Sequence, residues 1–113
     1  MVTADEVRSI ATSLPRTVER LVRDRVKFNV GPIVYVALSQ DERTMGCGFP
    51  KEKRDAAIAA EPDKFAMPSV GDQRYNWIHV DLDVVDRTEL RELVTDAWRM
   101  VVPKKVAAEY AGH

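Results

Sequence analysis

The stretch from Tyr75 to Lys105, YNWIHVDLDVVDRTELRELVTDAWRMVVPKK, constrains the fold more than any other part of the chain. It opens with a clean alternation. Asn76, Ile78, Val80 and Leu82 point one way, and Tyr75, Trp77, His79 and Asp81 point the other, which is the period of a half-buried strand. After a short turn, Leu90, Leu93, Val94, Ala97, Trp98 and Val101 fall along one helical stripe. Asp86 followed by Glu89 is a capping arrangement for that helix, and Pro103 separates it from a short last helix. Strand and helix can close on each other through their apolar sides. The strand then keeps a second face, aromatic and polar, turned away from the helix.

The rest of the chain supplies what that strand must pair with. Thr3 with Glu6 is a second capping signature, and the helix it opens carries Val7, Ile10, Ala11 and Leu14 on one side before Pro15 ends it. Residues 16–27 are locally basic: Arg16, Arg20, Arg23, Arg25 and Lys27 against Glu19 and Asp24, five minus two, a net +3. They read as a solvated strand and loop. Arg25–Val30 alternates, Gly31-Pro32 makes a turn, and Ile33–Ser39 is rich in β-branched residues. A polar turn follows, then Thr44–Phe49 as a third strand, with Met45, Cys47 and Phe49 on its apolar side. Pro50 starts a helix over Lys51–Ala60, Pro62 stops it, and 63–74 reads as a loop whose Phe65 and Met67 tuck under an edge. Strands joined by short turns predict an antiparallel meander. The expected fold is therefore α+β in two layers, an antiparallel sheet with helices packed on one face, in the order α-β(3)-α-β-α-α. Such a sheet keeps one face open.

With 113 residues, 45% hydrophobic and 31% charged, the chain is expected to form a single domain spanning 1–113. A net charge of −1 gives no global basic field. The single cysteine, Cys47, rules out an internal disulfide and suggests a reducing compartment. No apolar signal core opens the sequence and no run approaches a membrane span, so a cytoplasmic location is expected.

Turning each strand's apolar side to the helices collects the remaining residues on the open face. They are Arg25, Lys27 and Asn29; Ile33, Tyr35 and Ala37; Thr44, Gly46 and Gly48; and Tyr75, Trp77 and His79. Aromatics that stack on bases, flanked by cations that meet phosphates, are one physical solution to nucleic-acid binding. The same composition suits a homodimer or protein-partner interface. It also suits plain cross-strand packing of Tyr35 against Tyr75 or Trp77 under the 63–74 loop. Lys104 and Lys105, at the start of the last helix, are further candidates for phosphate or partner contact.

Catalytic and metal chemistry are poorly served. His79 and Asp81 share a strand face, and Ser39 or Ser69 would complete a triad on paper, but no nucleophile elbow accompanies them. Asp81, Asp83 and Asp86 do not follow a calcium-loop spacing. The other histidine is His113. Cys47 reads as a buried thiol. No phosphate loop or dinucleotide fingerprint is present. The expectation is a non-enzymatic protein without metal or cofactor.

The order of motifs resembles a known family. Ser13-Leu14-Pro15 ends the first helix; Lys27-Phe28 and Tyr35-Val36-Ala37-Leu38 lie in a strand pair; Glu61-Pro62-x-x-Phe65 follows, then Trp77-Ile78-His79-Val80-Asp81-Leu82. A helix from Glu89-Leu90-Arg91-Glu92-Leu93 through Ala97-Trp98-Arg99 leads to Val102-Pro103-Lys104-Lys105. Over roughly residues 3–110 this resembles the MmcQ/YjbR family of small bacterial cytoplasmic proteins. The resemblance implies a compact YjbR-type α+β fold and a DNA-binding or regulatory role by likeness to double-wing DNA-binding domains. It implies no catalytic residues. Arg25, Lys27, Tyr35, Trp77, His79, Lys104 and Lys105 are the expected DNA contacts, with a homodimer or protein partner on the aromatic face as the alternative.

Overall fold

The computed structural model describes residues 1–111; His113 lies outside the described residues. Helix α1 (Ala4–Ser13) is capped by Thr3, whose side chain accepts from the Glu6 N–H. Four strands follow: β1 (Thr17–Val22), β2 (Arg25–Val30), β3 (Ile33–Leu38) and β4 (Thr44–Gly48). Then come α2 (Lys51–Ala60), a short edge strand β5 (Phe65–Ala66), β6 (Trp77–Asp81), α3 (Arg87–Arg99) and α4 (Lys104–Ala111). The sheet is antiparallel throughout, in the order β1-β2-β3-β4-β6-β5. Asp86 caps α3 by accepting from the Glu89 N–H at 2.8 Å. Among the described residues no helix is long and apolar enough to cross a membrane.

The architecture is the expected α+β fold with two strands more than the α-β(3)-α-β-α-α order provides. The first is β1. It turns into β2 through Arg23 and Asp24 alone, both at positive φ (51° and 66°). Two positive-φ residues make the mirror-image turn that matches strand twist, a turn normally signalled by Asn-Gly or Asp-Gly. The second addition is β5, two residues of the 63–74 segment that pair Phe65 with Val80 and Ala66 with His79. Of the two residues expected to tuck under the edge, Phe65 is buried and Met67 is 40% exposed.

Cross-strand register lays the core out in rows. Phe28, Val36, Cys47 and Ile78 are directly opposite one another across β2, β3, β4 and β6, and Leu38, Met45, Val80 and Phe65 form the next row. All eight are buried. The α1 and α3 helices close over this face with Val7, Ile10, Leu90, Val94, Ala97 and Trp98, also buried. Trp98 donates its indole N–H to the Pro15 carbonyl at 2.8 Å and meets the Tyr110 ring edge-on, centroids 5.1 Å apart. Burying such rings removes the largest apolar areas from water.

One strand departs from simple alternation. Phe28 faces Val36 and Asn29 faces Val34, so Tyr35 is an extra residue in β3. A bulge of this kind re-aims the side chain it carries. Tyr35 is expected on the open face, and the structure corrects that placement: it is fully buried (0% exposed). Its hydroxyl lies 2.7 Å from the Thr17 hydroxyl and donates more weakly to the Ala11 carbonyl of α1 at 3.4 Å. Burial pushes the Tyr35 phenol up to about 12, against the opposing pull of the Thr17 hydrogen bond.

Candidate functional site

The open face is organised by a single cross-strand row. Arg20 of β1 faces Lys27 of β2, which faces Ala37 of β3; Ala37 faces Gly46 of β4, which faces His79 of β6, which faces Ala66 of β5. The row is cationic at one end, aromatic at the other and nearly bare in the middle. Ala37 and Gly46 offer no more than a methyl group, so the two central strands form the floor of a trough. Strand spacing puts about 14 Å between the Lys27 and His79 backbones.

Trp77 crosses this floor. A Cβ on Gly46 would sit 2.6 Å from the Trp77 indole nitrogen and 2.9 Å from two ring carbons. The nitrogen-bearing edge of the ring therefore sits directly against Gly46, and a side chain at position 46 would displace it. Trp77 is partly exposed and lines the trough with Lys27, Arg25, His79, Tyr75 and Thr44, enclosing about 550 Å³. Val34 also lines it, on the face from which the bulge removes Tyr35, and Met100–Val101, after α3, form one rim.

The aromatic rim is held from behind by a buried arginine. Arg54 of α2 is 6% exposed and donates to the carbonyls of Gln73 (2.8 Å), Tyr75 (3.2 Å) and Trp77 (2.9 Å). Asn76 accepts from the Lys51 N–H at 3.0 Å and so supplies the cap that Pro50 cannot. These contacts fasten the 73–77 segment to α2 and fix where the Trp77 ring emerges. The guanidinium of Arg74 lies 4.8 Å from the Tyr75 ring centroid, a cation–π contact.

Of the candidates read from the sequence, Arg25, Lys27, Trp77 and His79 converge on the trough. Lys104 and Lys105 are exposed on the first turn of α4 and are not part of its lining. Arg20 and Asp72 were not among the expected contacts. Arg20 comes beside Lys27 only because β1 is a strand, and the Arg-Asp turn hides that. Asp72 lines the trough from the 70–72 turn, a long-range placement without local signal.

His79 is partly buried, and this burial lowers its pKa from the ordinary 6.5, while the nearby Asp72 pulls the other way. Neither serine reaches it by hydrogen bond. Ser39 donates to Asp41 at 2.6 Å, and Ser69 donates to Asp72 at 3.0 Å. The thiol of Cys47 is fully buried and pushed up to about 12, so its thiolate form is suppressed.

A second hollow, about 470 Å³, lies on the other side of His79 and carries Asp41, Asp63, Asp81 and Asp83 with Arg43 and Lys64. Both of its cations are held in ion pairs. Arg43 binds Asp83 at 2.8 Å, Lys64 binds Glu61 at 2.9 Å and also Glu89, and Asp81 accepts from the Asp83 N–H. Among the described residues no three His, Cys, Asp or Glu side chains gather as metal ligands.

Charge is thus segregated across the open side: Arg20, Arg25 and Lys27 at the β1–β2 end, Asp72 and Asp81 at the β6 end. A net charge of −1 conceals that separation.

Comparison with known proteins agrees with this architecture. No curated protein matches the chain. A solved structure, Deinococcus radiodurans protein DR2400 with a DUF419 domain, superposes with a TM-score of 0.79 at 24% identity, covering 93% of this chain and 82% of that one. It shares the fold. The YjbR family model matches residues 12–100, most of the chain from the end of α1 to the end of α3. The chain belongs to the YjbR family.

Proposed function

We propose that this protein is a non-catalytic nucleic-acid-binding domain, acting on DNA through the open face of its sheet. The observation that carries the reading is the Arg20–Lys27–Ala37–Gly46–His79 row with Trp77 laid across its floor. Cations at one rim meet phosphates, the small Ala37–Gly46 floor leaves room for a planar group, and the partly exposed Trp77 indole offers a stacking surface. The local net positive charge of residues 16–27 supplies the phosphate attraction that the whole-chain charge does not.

A salt-titrated anisotropy assay with fluorescently labelled DNA tests this. Saturable binding at low salt is expected, weakening with salt at a log–log slope of about −2, as three phosphate contacts on a single strand would give. Combining Lys27→Ala with Trp77→Ala should abolish it. No saturable binding at low salt, or full binding by the double variant, would sink the proposal.

A further inference from the structure

We infer that the trough takes an unpaired base of single-stranded DNA, stacked on the outer face of Trp77, with the strand's phosphates running along Arg20, Arg25 and Lys27. This rests on the nucleic-acid reading above and narrows it to one kind of DNA.

Stacking is the first reason. Within a duplex both faces of every base are already covered by neighbours, so the partly exposed indole gains nothing from duplex. An unstacked base can lie on it. Gly46 matters here, because the absence of a side chain leaves the room that the Trp77 indole occupies at the trough.

Shape is the second. Reading duplex by its major groove requires an element that protrudes, a helix or ribbon entering a groove about 12 Å wide and 8.5 Å deep. The open face does the opposite. It is a hollow of about 550 Å³ rimmed by Tyr75 and Met100–Val101, and a convex duplex bridges a hollow without reaching its floor.

Charge is the third. The Arg and Lys side chains of the lining, Arg25 and Lys27, lie on one side, while Asp72 lines the trough on the other and Asp81 follows Trp77 and His79 along the same face of β6. One phosphate backbone tracks the cationic side. The second backbone of a duplex would be brought toward carboxylates, and like charges disfavour that. Thr44 and His79 remain in the lining to meet a base edge.

The experiment compares three probes on the full chain: a labelled oligothymidylate of about a dozen nucleotides, the same oligomer annealed to its complement, and thymidine monophosphate as a competitor. The single strand is expected to bind at least about tenfold more tightly than the duplex. Trp77→Ala should lose about tenfold on the single strand, the scale of one base–aromatic stack, while Trp77→Phe keeps most of it. Lys27→Glu, at a partly exposed strand position, should weaken single-strand binding without touching the ring; thermal melts of all variants confirm that they fold. Equal or tighter duplex binding, unaffected by Trp77→Ala, would overturn the inference and leave the DNA reading standing. Monophosphate competing as well as the oligomer would overturn it in favour of a small-molecule pocket. Binding of neither DNA form would remove both.

Discussion

Two aromatic residues of this protein illustrate how one residue's placement decides its role. Tyr35 and Trp77 both sit on strands and both look available from alternation. The bulge in β3 turns Tyr35 into the core, where its hydroxyl is held by Thr17. Trp77 stays outside, because Gly46 leaves the space for its ring. The alternation of Tyr75–Leu82 was legible because β6 contains no irregularity. The bulge was not, because nothing in Ile33–Leu38, a run of β-branched and apolar residues, marks which member is unpaired. The folded pKa of His79 lies below the ordinary 6.5, with burial the larger cause and Asp72 opposing. The unfolded chain therefore binds a proton that the folded one resists. The contribution of His79 to stability is present above about 6.5 and is lost as pH falls toward the folded value. A nitrogen-15 NMR titration of the imidazole should give a midpoint below 6.5, and His79→Asn should reduce the loss of urea resistance between about pH 7.5 and pH 5. A midpoint at or above 6.5 would contradict the burial argument.

Among the elements, helices were the easiest to read, since their punctuation is local. Thr3 and Asp86 cap α1 and α3 through the predicted N–H groups, and Pro15, Pro62 and Pro103 fall where helices stop or begin. Strands depend on partners far along the chain, and two were obscured. In β5 only Phe65 and Ala66 pair, too short a run to show periodicity. In β1 the pattern was hidden by the turn that defines it, since Arg23 and Asp24 adopt positive φ without the usual glycine. Holding a residue with a Cβ in that region costs of order 1 kcal/mol. Asp24→Gly should therefore stabilise the protein by about 0.5–1 kcal/mol, read as a raised denaturant midpoint with unchanged slope. A lowered midpoint would show that the Arg23-Asp24 turn is held by interactions beyond its own backbone. The same hairpin brings Arg20 beside Lys27, so the cationic end of the trough exists only because this turn closes.

For the whole molecule, the layering of helices on one sheet face followed from amphipathic patterns that all point to one core, the consistency expected of a sequence that specifies its fold. The open face was foreseeable in composition, whereas its shape was not. Concavity arises from Ala37 and Gly46 meeting at the centre of the sheet, and from Arg54 of α2 gripping three carbonyls of the 73–77 segment. Both are products of register and tertiary contact. They convert a list of basic and aromatic residues into a trough with a cationic side, a floor of small residues and a partly exposed indole. Under the proposal above, nucleic acid binds in this trough. Amide chemical-shift mapping during titration with a single-stranded oligonucleotide tests it most directly. Saturable shifts are expected at Lys27, Ala37, Gly46, Trp77 and His79, with the outer surfaces of α1 and α3 quiet. Shifts centred on those helices, or none at this row, would contradict it.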